Sequence, residues 1–466
     1  LHAFIDTFTD AMRDIETRIA AMESPIGATA IAVAYSGGLD SAVLLHLAQQ
    51  YAGSRNIPLH AFHVHHGLSP NADAWLEHCR TRCASSAIPF DSRRVTLTKK
   101  EDGGVEEAAR IARYAALGEM CLQHGVTLLL TAHHLDDQAE TVLLQLLRGS
   151  GVAGLSGMEI ANRAPDMLGS EKLAMARPLL AVSRADLEQY ATRQHIAFVE
   201  DESNADPRYA RNALRHQVMP ALAASFPGFQ QRFARSAQHA QAAQRLLSSM
   251  AEQDMASSKI GDALDVEQLK KLGADRADNL LRHWFALRGI RMPSVAWLLE
   301  MRTQLFEAKA DAQLCVTHAD CHIRRHRNRV YITPKFTDDP ADIAPVRFMW
   351  QGESVVDFPS FHGSLYFDAV DDPTQAGIAV EFLQSKECVI RYRQGGERLK
   401  LAVNRPGRDL KHHYQAADIP AWERERLPLL SCGGKLLFAA GLGMDCRQFA
   451  PNGTARIRIR WQADPA

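Results

Sequence analysis

No stretch of this 466-residue chain is apolar for long. Its longest apolar runs, such as residues 29–35 and 126–132, fall far short of the ~18–20 residues that cross a bilayer. No membrane partner is expected. The residues ahead of Asp6 lack the basic-then-apolar pattern of a secretory signal, so export is not expected either. Cysteine is scarce, with 8 residues, and the nearest pairs, Cys79/Cys83 and Cys315/Cys321, lack CxxC spacing. A disulfide scaffold is thereby excluded, and so is a CxxC zinc or iron–sulfur site. Buried, reduced thiols in a cytoplasmic protein are the expectation. No repeat of fixed period, no GxxxxGK[ST] loop and no GxGxxG fingerprint occur.

Net charge is nearly absent as well, at −1, but its distribution is uneven. Residues 389–466 hold 14 Lys+Arg against 7 Asp+Glu, whereas residues 1–388 hold 39 against 47. A basic terminal module on an acidic body points to a phosphate-bearing partner for that module.

The length predicts two to four domains. Residues 4–22 repeat apolar side chains at helical spacing. From residue 28 strands and helices alternate: strands at 28–35, 59–65, 91–97 and 126–133, helices at 42–52, 71–87, 105–124 and 136–147. Such alternation predicts an α/β fold, an open parallel sheet with helices on both faces and a ligand at the carboxyl ends of its strands. Residues 221–305 read as helical and 315–332 as a basic hairpin. A linker rich in proline and aspartate occupies 333–345, and short alternating runs beyond it predict a small β-rich domain. The expected division is 1–220, 221–333 and 346–466.

The sharpest motif is Ser36-Gly37-Gly38-Leu39-Asp40-Ser41, between the first strand and its helix. Two glycines allow a tight turn and close approach to an anion, two hydroxyls donate, and the helix N-terminus adds free N–H groups. Read alone, it is also an ordinary capped β–α turn. A second segment, His133-His134-Leu135-Asp136-Asp137-Gln138-Ala139-Glu140-Thr141, crowds three acids into the start of a helix after a strand. Acids there offset the helix dipole; three of them with two histidines suit magnesium, a substrate amine or both. Glu106, Arg110 and Arg113, beside Tyr114, share one helix face, either as a surface ion pair or as guanidiniums for a phosphate site. Finally, residues 200–204 lead into Arg208, Arg211 and Arg215, a basic stripe on a helix expected from about residue 206.

The first motif resembles the pyrophosphate loop of the N-type ATP pyrophosphatases. All the segments in order, with VHHGL at 64–68, ExxARxxRY at 106–114 and DESN at 201–204, resemble the tRNA(Ile)-lysidine synthetases. RYRQGGERL at 391–399 and IPAWERERLPLL at 419–430 resemble the terminal domain of that family's long, three-domain form. The resemblance implies a Rossmann-like sheet carrying the loop, then a helical domain and a β-rich domain. It implies ATP-dependent attachment of L-lysine to C2 of the wobble cytidine of an isoleucine tRNA with a CAU anticodon, through an adenylated intermediate. On that basis Ser36, Gly37, Gly38, Leu39, Asp40, Ser41, His65 and His133 are candidate ATP contacts, and Asp40 and Asp136 candidate Mg²⁺ ligands. Asp40, Asp137, Glu140, Arg110 and Arg113 are candidate catalytic groups. Arg208, Arg211, Arg215, Arg391, Arg393 and Arg398 are candidate tRNA contacts. The rival is a tRNA 2-thiolation ligase of the same class, which would need a sulfur-carrying cysteine or a CxxC cluster near the loop. The oligomeric state is left open.

Overall fold

The computed structural model describes residues 2–22, 30–65, 67, 69–95, 105–200, 210–309, 314–336, 338–370, 372, 375–451 and 453–464. Their contacts divide the chain into two compact units, Leu1–Gln253 and Asp254–Ala466. The division falls inside the long helix Phe229–Ser258, beyond the boundary expected at residue 220.

The first unit opens with helix α1 (His2–Ala20), whose Phe8, Met12, Ile15 and Ile19 recur at helical spacing and are all buried. Its six strands are β1 (Ile31–Ala34), β2 (Leu59–His65), β3 (Phe90–Arg94), β4 (Leu128–Leu130), β5 (Ala161–Arg163) and β6 (Ala174–Ala176). Between them run α2 (Leu39–Arg55), α3 (Ala72–Ser85) and α4 (Val105–Gln123), and α5 (Leu135–Leu147) comes after β4. The sheet order is β3-β2-β1-β4-β6-β5, parallel throughout except for the antiparallel β5–β6 edge. Of the strand predicted at 91–97, residues 96–97 lie outside the described residues, as do 28–29 of the first strand.

Successive residues of the central strands enter different cores. Ile31, Val33, Leu128 and Leu130 pack with α1 and α2, while Ala32 and Leu129 face Tyr114, Leu117 and Met120 of α4. Strands apolar on both faces are what a parallel sheet covered by two helix layers demands. The chain winds outward from β1 through β2 to β3 on one side, and through β4 to β6 on the other. This reversal between β1 and β4 opens a crevice beyond their carboxyl ends. The α/β architecture read from the sequence is the one observed.

In the second unit the helices Val266–Lys271, Ala274–Leu287 and Val295–Glu307 cover a five-stranded sheet. The hairpin Cys321–His326/Arg329–Pro334 belongs to it, as expected, but so do Lys259–Ile260 and Ala263–Asp265 from the stretch read as wholly helical. Strands of two and three residues are too short for alternation to register. Beyond lie a five-stranded and a four-stranded antiparallel sheet sharing one core, which includes Trp350, Phe367, Ile390, Leu430 and Ile459. Part of the predicted linker is docked there. Arg426 sits 3.7 Å over the Phe336 ring and donates to Asp338 at 3.2 Å.

Candidate functional site

The loop after β1 is shaped by its glycines. Gly37 has φ +89°, and a Cβ on it would lie 2.9 Å from Cys79 Sγ and 3.2 Å from Val199 Cγ2. Only glycine meets both conditions without strain. Ser36 Oγ and Ser41 Oγ are 3.1 Å apart, Gly38 N donates to Ser36 Oγ at 3.4 Å, and Ser41 Oγ donates to Gly38 O at 3.0 Å. Gly38 caps α2 with no side-chain acceptor over the first turn, so Leu39 and Asp40 open the helix at the crevice. His63, unforeseen from the sequence, braces the loop's root through Nδ1 and Tyr35 O at 2.9 Å.

The segment after β4 delivers the acids to the same crevice. His134 N donates to Asp137 Oδ2 at 3.1 Å, closing the first turn of α5, and the buried His134 ring lies 3.8 Å from Asp40 Oδ2 and 3.4 Å from Asp137 Oδ2. Arg184, which carries no motif, ties the two loops together. Its Nη1 donates to Asp40 Oδ1 and Oδ2 at 3.1 and 2.8 Å, and its backbone N donates to Asp136 Oδ2 at 2.8 Å. Burial lifts the Asp40 carboxyl above its usual range, against the pull of His134 and Arg184. Burial pushes Asp137 the same way, but His134, Arg211, His133 and the His134 amide outweigh it and hold that carboxyl low. The His133 imidazole is kept neutral chiefly by burial; Asp137 opposes this, while the charges of Arg177, Arg211 and Arg113 reinforce it.

Glu140 is 1% exposed and fully engaged. Arg211 Nε donates to its Oε2 at 2.8 Å, Arg215 Nε to its Oε1 at 2.7 Å, and Arg215 Nη2 to its Oε2 at 2.9 Å. Arg215 Nη2 also reaches Asp137 Oδ1 at 3.1 Å. Two of the arginines expected as tRNA contacts thus turn inward to the acid pair. A π-helical turn, Leu214–Val218, carries Arg215; such turns concentrate at functional sites.

Other candidates lie elsewhere. Arg110 forms a surface ion pair with Glu107 at 3.1 Å, whereas Arg113 stacks on Tyr114 at 5.3 Å and is felt at His133. His65 is buried with Nε2 3.3 Å from Asp73 Oδ1 of α3. Arg208, the DESN segment at 201–204, and His66 and Leu68 of VHHGL lie outside the described residues, as does the Glu106 side chain. In the second unit Arg391 proves to be a loop brace. It donates to Glu397 at 2.7 Å, and the same carboxylate accepts Gln394 N and Gly395 N at 2.8 and 2.9 Å. Arg398 is exposed. Burial, reinforced by the charges of Arg393 and Arg327, depresses the pKa of Arg424, and those charges mark a gathering of like sign.

As magnesium ligands, Asp40 and Asp136 offer hard oxygen donors of the right kind. Both are held by Arg184, and no cluster of three or more metal-binding side chains occurs among the described residues. They fit an ion carried in mainly by phosphate oxygens and water, not a resident one.

The sequence matches the profile of a PP-loop domain over residues 11–222, of a TilS substrate binding domain over 264–331, and of a TilS substrate C-terminal domain over 388–461. It is 44% identical to the tRNA(Ile)-lysidine synthase of Ralstonia nicotianae over 428 residues, 90% of each chain. It is 41% identical to that of Burkholderia pseudomallei over 467 residues, 94% of each chain. The enzyme of the same name from Alkalilimnicola ehrlichii is 41% identical over 89% of this chain and 90% of its own.

Proposed function

The chain belongs to the tRNA(Ile)-lysidine synthase family, and on that premise we propose how its crevice converts the wobble cytidine of an isoleucine tRNA to lysidine. The observation that carries the reading is the meeting of a phosphate cradle and a ring of four carboxylates at the β1/β4 reversal. The chemistry needs both. The C2 oxygen of cytosine is a poor leaving group, so it first attacks the α-phosphate of ATP and expels pyrophosphate. The ε-amine of lysine then attacks C2, and AMP departs.

The Ser36–Ser41 loop would hold the β- and γ-phosphates through backbone N–H groups, Ser36 and Ser41. Asp40 and Asp136 would hold Mg²⁺, which offsets phosphate charge when bound. Arg184 keeps those two carboxylates side by side in the meantime. Asp137 and Glu140 would receive the lysine ammonium in exchange for guanidinium hydrogen bonds. The two carboxylates would orient the ammonium and take the proton that must leave before the amine can attack. His133, neutral, is available to the nucleotide. A working division into a catalytic region (1–220), a middle tRNA-binding region (221–333) and a basic β-rich tRNA-binding region (346–466) assigns the RNA grip to Arg393 and Arg398. Arg391 supports the loop between them.

The thiolation alternative requires a reactive thiolate near the loop. Burial pushes the Cys79, Cys83 and Cys121 thiols up to about 12, 11 and 12, so all three stay protonated. The test is nucleoside mass analysis of isoleucine tRNA after incubation with ATP and radiolabelled lysine. Lysidine at the wobble position supports the reading, and a sulfur-bearing or unchanged cytidine refutes it.

A further inference from the structure

One buried guanidinium in the first unit makes no ion pair among the described residues, and the carboxylate whose charge acts on it, Glu159, is itself exposed. Arg177 comes directly after β6 and is only 7% exposed. Its Nη1 donates to two neutral oxygens, Glu159 O at 2.7 Å and Asn162 Oδ1 at 2.8 Å. Nη2 finds only the Met175 sulfur at 3.8 Å, and the buried Nε has no hydrogen-bond partner among the described residues. Taking a guanidinium out of water without a compensating anion is costly, and native folds supply one, from the chain or from a ligand.

The position of Arg177 indicates which. Leu130 of β4 pairs with Ala176 of β6, and Thr131 N donates to Ala176 O at 2.9 Å. Thr131 Oγ1 is in turn 3.0 Å from His133 Nδ1. Thr131 and Arg177 therefore leave neighbouring strands at the same end of the sheet, roughly one strand spacing, ~5 Å, apart, and the charge of Arg177 acts on His133 two residues further along. β1 and its phosphate loop stand two strands away, roughly 10 Å. The charge of Arg177 acts on His133 of the segment after β4, so the guanidinium belongs to the side of the crevice that carries the groups assigned to the second half-reaction.

We propose that Arg177, with Arg113 at the rim, is a preformed subsite for an anionic oxygen group of a reactant: the α-carboxylate of the incoming amino acid, or the phosphate of the adenylated RNA. This rests on the lysidine-forming reading above. The carboxylate source makes the subsite a specificity device, since it recognises an amino acid and not merely an amine. The phosphate source makes it a handle on the leaving AMP.

The two sources separate in full-length enzyme with isoleucine tRNA, using lysine and cadaverine, which has the same terminal amine but no carboxylate. Losing a hydrogen-bonded charge partner should cost about 10- to 100-fold. If the carboxylate is the ligand, Arg177→Met raises the KM for lysine by that factor, leaves pyrophosphate release unchanged, and leaves cadaverine turnover as it was. A phosphate ligand predicts instead that adenylation, or turnover of the adenylate, falls equally with either amine. Arg177→Lys keeps the charge and should recover part of the loss; it replaces the methionine variant if that fails to fold. The inference is overturned if both half-reactions stay within about twofold of wild type, or if lysine substitution lowers melting temperature and activity as far as methionine does. If wild-type enzyme itself attaches no lysine, the underlying reading fails, and not the subsite alone.

Discussion

Glu140→Gln is the most informative single substitution in the acid ring. The glutamate accepts three hydrogen bonds of 2.7–2.9 Å from Arg211 and Arg215 while being 2% exposed in its side chain. Glutamine keeps one acceptor but turns an amide donor toward guanidinium donors. The four charges of Asp137, Glu140, Arg211 and Arg215 cancel; the variant leaves the set at +1. Removing one partner of a fully buried ion pair costs ~3–5 kcal/mol. Here both arginines are about a third exposed, so water takes over part of their solvation, and about 1–3 kcal/mol is the reasoned loss. In a unit of this size that lowers its melting transition by roughly 2–12 °C. The functional effect is separate. An ammonium must now enter a site of net positive charge, so lysine transfer should fall far more than ATP-dependent pyrophosphate release, and adenylated tRNA should accumulate. Differential scanning calorimetry and a two-step assay of both half-reactions measure the pair of effects. Equal losses in the two steps would move Glu140 to ATP or magnesium, and an unchanged melting transition would refute the ion-pair reasoning.

Asp40→Asn should abolish pyrophosphate release without lowering the melting temperature at pH 7. The fold raises this carboxyl's pKa, so its ionised form is a burden that grows with pH and vanishes in acid, and any stabilisation by asparagine should shrink as pH falls. Asp137 carries the opposite sign. Its folded pKa is depressed, so the stability it contributes is present above its unfolded value of about 3.9 and is lost as pH falls through the lower folded value. Asp137→Asn should accordingly destabilise at pH 7, with a gap that closes in strong acid; a constant gap in pH-dependent melts would sink the assignment. In the second unit, charge reversal at Arg393 and Arg398 should weaken tRNA binding and flatten its salt dependence by roughly 0.7–0.9 per lost phosphate contact in filter-binding titrations. Arg391 is best left intact there, because reversing it would break its bond to Glu397 and collapse the loop instead.

The sheet and both loops of the crevice were legible because each is written locally. Apolar strands end in Gly-Gly or His-His-Leu-Asp-Asp, and the β–α alternation then requires a helix after each. What the sequence could not show is which distant side chains close the ring. Arg184 stands 144 residues from Asp40, and Arg177 comes just after a three-residue strand; neither sits in a pattern that periodicity or spacing detects. The inward turn of Arg211 and Arg215 was hidden for a different reason. Helical spacing says that two arginines share a face, but only packing against α5 decides whether that face meets water or a buried glutamate. The strands Lys259–Ile260 and Ala263–Asp265 escaped because they are shorter than any alternating signal.

The long-range closure of the ring bears on how the molecule is made. Asp40 waits for Arg184, and Asp137 and Glu140 wait for Arg211 and Arg215, 71 to 78 residues further on. At the ~5–20 residues per second of ribosomal synthesis, the phosphate loop exists for roughly ten seconds or more before its last partners leave the ribosome. During that interval the nascent sheet carries uncompensated carboxylates at its central crevice, and no fragment ending before residue 215 can complete the ring. Chain termination anywhere upstream therefore gives a product that lacks the closed ring of ion pairs.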